Sequence, residues 1–360
     1  MDNHDLNTLL RTMVEHDASD LYLTAGAQPQ LKVNGVVRNL TLPAFEAGQV
    51  RALAYSVLSD KAVADYEKAL EYNLAYTPTD IGRFRINIYQ QRGETAMVAR
   101  RIHEQIPSFD ELGLPVAARN LAMLPRGLVL IIGAAGSGKT TTMASMVDYR
   151  ATHHTGHILT VEDPIEYHFT HSKSSVDQRE VGIDTHSFSN ALRNAMRQAP
   201  DLIVIGEIRD RESMQQAMTY AETGHLCIST LHASNAGQAI KRILNFFPES
   251  AHQQVLMDLS LNLQAVLAQR LIPARTGGRV LATELLLHSA YVADLIQRGA
   301  VDDLRQSLEK TSVMGTHSFD QSLLDLYQQG RIEQEVALAN ADSRTDLGLR
   351  MRLHSSHDPH

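Results

Sequence analysis

The chain has 360 residues, enough for two domains, and its 43% apolar and 21% charged content is that of a folded protein rather than a disordered one. Lys and Arg number 33 against 41 Asp and Glu, a formal charge of −8, which disfavours a nucleic-acid-coating role because phosphate contacts need clustered cations. A single cysteine, Cys227, excludes an intrachain disulfide framework and a four-cysteine zinc site, and fits a reducing compartment.

Met1 to Asp5 carry neither the basic start nor the apolar stretch of a secretory signal, so none is expected. The longest apolar run, Leu128 to Ile132, falls far short of the roughly 20 residues that cross a bilayer, so membrane attachment would come through a partner. Leu6, Leu9, Leu10, Met13 and Val14 stand at helical spacing and predict an amphipathic opening helix. Asp20–Thr24, Gln30–Asn34 and Gly35–Arg38 alternate like strands, with a hairpin signal at Asn34-Gly35. A helical stretch is expected over 46–70. Tyr72–Tyr76, Gly82–Tyr89 and Thr95–Ile102 again read as strands, with Arg92-Gly93 at a turn. Residues 1–106 therefore form a small α+β domain with an antiparallel sheet.

Pro107 and Pro115 bracket a short polar segment, and 107–118 is expected to be a linker. Residues 119–345 form the second domain. Its short apolar runs at Gly127–Ile132, His157–Val161, Asp201–Ile205 and His225–Ser229 alternate with helical stretches, the pattern of a parallel sheet buried on both faces. Beyond about residue 250 the chain reads as mostly helical, with Leu256, Leu259, Leu263, Val266 and Leu267 at helix spacing. The polar end, 346–360, is expected to be a flexible tail. The 17 histidines include pairs such as His153-His154, but none with ligand spacing, so no metal centre is expected among them.

Gly133-Ala-Ala-Gly136-Ser137-Gly138-Lys139-Thr140 matches the full phosphate-loop pattern, with an apolar strand before it and helix-compatible Thr141 to Tyr149 after it. Glycines let backbone N–H groups wrap a phosphate, and the following helix presents its positive end to the same anion. Lys139 is expected to meet the β- and γ-phosphates of ATP, and Thr140 to offer its hydroxyl to Mg²⁺. Leu202–Glu207 is an apolar strand that ends in a carboxylate, the usual place of an Mg²⁺-linked acid, so Glu207 joins Thr140 as a candidate metal group. Asp163-Pro164-Ile165-Glu166 reads two ways. It could be a capping box opening a helix, with Asp163 as N-cap, or it could place Glu166 as a general base beside the γ-phosphate. His232 closes a strand and is either a structural histidine or a phosphate sensor. Arg83, Arg85, Arg100 and Arg101 lie on strands of the first domain without acidic partners in the local sequence; they are solvated surface arginines or cations delivered to the phosphate.

Together and in this order, these elements resemble the secretion and pilus ATPase superfamily. Thr160–Glu166 resembles its Asp box, Ile205–Arg209 its Walker B, and Ala221–His225 with Thr230–His232 its His box; Ala18–Leu21 and Gly82–Arg85 also fit, so the similarity spans nearly the whole chain. Within the superfamily the resemblance is to the type IV pilus retraction group of PilT and PilU, on the PilU side through Gln178–Asp184, Met257–Leu263 and Gln269–Pro273. It implies an α/β chain with a PAS-like N-terminal domain and a RecA-like P-loop ATPase domain with a helical C-terminal part. It implies ATP and Mg²⁺ as cofactors, a homo-hexamer, and a cytoplasmic place at the inner face of the membrane. A partner retraction ATPase and an inner-membrane pilus platform protein are the implied partners, without nucleic acid or direct membrane insertion. Glu166 takes the place of the general base, Glu207 that of the Mg²⁺-linked acid, and His232 that of the histidine near the γ-phosphate. Arg85 and Arg100 match arginines that reach the nucleotide from the N-terminal domain, and Gly133, Gly136, Ser137, Gly138, Lys139, Thr140 and Thr141 form the nucleotide loop. The absence of a longer N-terminal region and of a four-cysteine module points to retraction rather than extension. Where the group carries Ala-Ile-Arg-Asn-Leu-Ile-Arg-Glu, Tyr291–Arg298 keeps only the Leu-Ile core, which favours an accessory retraction role. A P-loop kinase and an ATP-binding module with little turnover are the alternatives.

Overall fold

The computed structural model describes residues 5–33, 35–102, 105–310 and 313–355. They divide into two units: Met1–Gln105 with Glu166–His168, and Ile106–Ile165 with Phe169–His360.

The first unit opens with the helix Leu6–Glu15, whose first turn is capped by Asp5 and which buries Leu6, Leu9, Leu10 and Met13. Six strands follow: β1 (Asp20–Thr24), β2 (Gln30–Val33), β3 (Val36–Asn39), β4 (Glu71–Tyr76), β5 (Arg83–Gln91) and β6 (Glu94–Ile102). They form one antiparallel sheet in the order β3-β2-β1-β6-β5-β4. The β2–β3 hairpin forms where its signal predicts, although Asn34 itself lies outside the described residues. The expected helix over 46–70 is two helices, Gln49–Tyr55 and Asp60–Ala69, because Ser59 caps a new start. Alternation along the strands sends Leu21, Leu23, Phe84, Ile86, Ile88, Met97 and Ala99 into the core. Residues between them, Arg85 and Arg100 among them, take the other face.

In the second unit, β7 (Gly127–Gly133), β8 (Gly156–Glu162), β9 (Ser174–Glu180), β10 (Leu202–Ile205), β11 (Leu226–Leu231), β12 (Leu263–Pro273) and β13 (Arg279–Leu287) form a sheet in the order β13-β12-β7-β11-β10-β8-β9. All neighbours are parallel except β12 and β13. All seven residues of β7 are buried, as a central strand covered on both faces requires.

Three expectations need correction. Leu263, Val266 and Leu267 do not continue a helix; the helix His252–Asn262 ends and β12 begins. A strand buried on both faces has no polar alternation, so its apolar run imitates helix spacing. The linker range 107–118 holds the helix Phe109–Leu112, with a Ser108/Glu111 capping box, and the start of Ala117–Ala122. The polar end forms the helix Arg344–Ser355, which buries Leu347 and Met351 and whose approach is held by Asp320 accepting from the N–H groups of Asp342 and Ser343. Residues 356–360 lie outside the described residues.

Candidate nucleotide site

The carboxyl ends of the parallel strands converge on one place, the edge where ligands of such sheets bind. β7 ends in Gly133 and the glycine loop, β10 leads two residues on to Glu207, and β11 leads directly to His232. The loop geometry is that of a phosphate cradle. Gly136 and Gly138 have φ of 74° and 87°, a region side-chain-bearing residues avoid. A Cβ on Gly133 would press on the Ser137 hydroxyl and come within 2.7 Å of the Gln269 carbonyl oxygen. The helix Lys139–His153 starts from Gly138 with no side-chain cap, so its first N–H groups are left for an anion.

Five side chains knit this end together. Lys139 is 8% exposed, and its Nζ donates to the carbonyls of Gly133 and Ala134, both at 2.9 Å. It also approaches His232 Nδ1 at 3.4 Å, while His232 Nε2 lies 3.1 Å from Glu207 Oε1. An ammonium only donates, so Nδ1 accepts and Nε2 carries the proton toward Glu207. The other oxygen of Glu207 receives Arg209 Nε at 2.8 Å, and Arg209 reaches Asp163 at 3.3 Å. The hydrogen bond to Glu207, then its charge and that of Asp163, hold the Arg209 proton more tightly than usual against the pull of burial.

The residues fit ATP and Mg²⁺. The buried Ser137 hydroxyl has no hydrogen-bond partner among the described residues, and the Thr140 side chain, in the first helical turn, makes no hydrogen bond there either. An oxygen-ligated cation needs such hydroxyl and carboxylate groups.

The alternative of a capping box at Asp163 does not survive. Residues 163–166 are not helical, the Asp163–Pro164 peptide is cis, and the Asp163 carboxylate is engaged by Arg209. Instead, the N–H groups of Ile165 and Phe169 donate to the side chains of Glu180 and Gln178, at 3.1 and 2.9 Å. Between these two anchors, Glu166–His168 group with the first unit.

Arg85 and Arg100 also belong to the first unit, directly opposite each other on β5 and β6. On the far side of Arg100, at the matching position of β1, stands Asp20, whose carboxylate takes Arg100 Nε at 2.8 Å. Arg101 likewise pairs with Asp17 at 3.1 Å. The picture of solvated, partnerless arginines is therefore wrong for Arg100 and Arg101, because their acids lie about eighty residues earlier in the chain. Burial lowers the hold of Arg100 on its proton, but the Asp20 bond and charge, with a further contribution from Glu166, raise it above the ordinary value. The Arg85 side chain makes no hydrogen bond or ion pair among the described residues.

Sequence reasoning assigned no role to Arg209 or Asp20. The acid-cation spacing Glu207-Ile-Arg209 hinted at the first, and nothing local hinted at the second. No helix among the described residues is long and apolar enough to cross a membrane.

Known proteins resemble this chain over nearly its whole length. Residues 3–346 match the family described as Type II/IV secretion system protein. A Pseudomonas aeruginosa protein named type IV pilus ATPase PilU is 48% identical over 98% of this chain and 93% of its own length. The PilT retraction ATPase of the same organism is 39% identical, covering 94% of this chain and 98% of its own length. A crystal structure of the pilus retraction motor PilT with bound ADP superposes with a TM-score of 0.88 at 40% identity, over 96% of this chain and 99% of that one.

Proposed function

We propose that this chain, which belongs to the type II/IV secretion system protein family and within it to the pilus retraction ATPases, is a hexameric ATP-driven motor of the type IV pilus machinery that drives or assists retraction. It is an ATPase. The observation that carries the reading is the chain Lys139–His232–Glu207 at the strand ends beside the glycine loop.

In this reading the loop N–H groups from Gly136 to Thr141 and the ammonium of Lys139 hold the phosphates, which means Lys139 leaves the carbonyls of Gly133 and Ala134 for the nucleotide. Mg²⁺, when bound, supplies charge neutralisation; Thr140 and Glu207 are the residues that would hold it. Glu166 takes the proton of the attacking water, and Arg85 and Arg100 stabilise charge on the transferred phosphoryl group. His232, joined to both Lys139 and Glu207, reports whether the γ-phosphate is present. The motor works on the cytoplasmic side of the membrane, bound there through a platform protein.

A second reading, an accessory subunit that couples to a partner retraction ATPase with little turnover of its own, is favoured by the replaced segment Tyr291–Arg298. That segment lies on the helix Ala290–Gln297, where Tyr291 is half exposed. One experiment separates the two: phosphate release by the purified chain, alone and mixed with a PilT-type ATPase. Robust release by the chain alone supports the motor. Release that depends on the partner supports the accessory subunit, and transfer of phosphate to an acceptor other than water would overturn both.

A further inference from the structure

We propose that Asp20 is the positioning residue of Arg100, gripping the guanidinium at Nε so that its terminal nitrogens stay free for the phosphates of the nucleotide. The proposal rests on the reading above that Arg100 acts on ATP.

The pairing is built into the sheet. Asp20 on β1, Arg100 on β6 and Arg85 on β5 occupy one rung, so all three side chains leave the same face. Two arginines directly opposite each other repel and destabilise the pairing, a cost that a nearby anion offsets. Asp20 supplies one on the far side of Arg100. Its side chain is 3% exposed while that of Arg100 is 55% exposed, so the carboxylate is the fixed member and the guanidinium the projecting one. Both carboxylate oxygens are engaged: Oδ1 receives Arg100 Nε, and Oδ2 receives the Ser19 hydroxyl, each at 2.8 Å.

The grip is side-on. It uses one of the five guanidinium donors, and the two terminal nitrogens make no hydrogen bond among the described residues. They remain as a fork of the shape that pairs with phosphate oxygens. An arginine loses considerable rotamer freedom when it is fixed, and a clamp in place before ATP arrives removes that loss from the catalytic step.

The test measures ATP hydrolysis by the full chain carrying Asp20→Asn, Arg100→Ala, or both. Asp20→Asn should lower kcat about tenfold and leave KM for ATP within about twofold, since the fork is misaimed rather than removed. In the Arg100→Ala background the same change should alter kcat less than about twofold. If Asp20→Asn does not fold, Ser19→Ala, which frees the second oxygen, should still lower kcat two- to threefold by about the same logic. A loss of equal size with and without Arg100, or one that tracks only the folded fraction from a melting curve, makes Asp20 structural and overturns the proposal. A faster Asp20→Asn enzyme would mean that Asp20 restrains Arg100, which also overturns it. Normal hydrolysis by Arg100→Ala refutes the assignment of Arg100 itself, while a slow Arg100→Ala beside a normal Asp20→Asn refutes the positioning role alone.

Discussion

The strand-end site of the second unit and the arginine rung of the first assemble their charges by opposite means. Lys139, His232, Glu207, Arg209 and Asp163 form a chain in which each group is bonded to the next, so the site is electrostatically closed before any ligand arrives. The rung holds two arginines face to face and a single acid, so it keeps an uncompensated positive charge. A closed network must exchange partners when a ligand enters, whereas an excess of charge needs only to be aimed.

The largest effect should come from breaking the closed network at its Lys139 end. Lys139→Ala should reduce ATP hydrolysis by about a thousandfold or more, through loss of the cation at the β- and γ-phosphates. Its far-ultraviolet circular dichroism should match the parent. Near-normal turnover in a steady-state assay would end the nucleotide-site reading.

Glu166→Gln should bind ATP normally, by equilibrium dialysis, and lose on the order of a thousandfold in hydrolysis, as for loss of a general base. With no helix at Asp163, the amide has no capping bond to preserve, so a fall in stability without a fall in turnover is not expected.

The two arginines sharpen the comparison most directly. Replacing either by Ala should slow hydrolysis about a hundredfold, and the double change should do little more. Their stabilities should part company. Both would be expected to matter little as side chains at least partly open to solvent, yet Arg100→Ala leaves the buried Asp20 without its cationic partner, at a cost of about 1–3 kcal/mol. Arg85→Ala should leave the melting temperature near that of the parent, and equal melting temperatures for the two variants would contradict the ion pair.

The smallest effect lies outside both regions. Glu284 on β13 is buried and accepts from the Ala236 N–H at the start of the helix Ala236–Leu244. Burial, more than the nearby Asp342, pushes its carboxyl from 4.5 up to about 7, although Ala236, Arg270 and Arg305 oppose the rise. The folded protein thus holds this proton where the unfolded chain has released it. The stability this confers is complete below pH 4.5 and is lost as pH rises toward 7. Glu284→Gln should flatten that decline in denaturant titrations between those limits and leave hydrolysis unchanged.

Legibility followed locality. The phosphate loop occupies eight consecutive residues whose chemistry is set by backbone and glycine, so a short pattern sufficed to find it. The strands of the first unit were readable because one polar face makes them alternate. β9 carries no clear strand signal, and β12 and β13 read as helical because burial on both faces erases the alternation. The partners of Arg100 and Arg101 could not be read at all, since they meet only through strand pairing across about eighty residues. At Asp163, local capping chemistry pointed to a helix, but the carboxylate found Arg209 and the loop found β9.

The β5–β6 hairpin carries one more implication, for how the gene can change. Nine rungs join Arg83↔Ile102 to Gln91↔Glu94 without a break, around a two-residue turn at Arg92-Gly93, where both residues have positive φ. Because side chains alternate with a period of two, a single codon inserted between Arg85 and Gln91, or lost there, would turn Arg85 into the apolar core and bring Ile86 or Phe84 out in its place. Insertions at the turn itself leave the rungs intact. Among descendants of this sequence, length variation in the hairpin should therefore concentrate at positions 92 and 93, while the eighteen other positions from 83 to 102 keep their spacing.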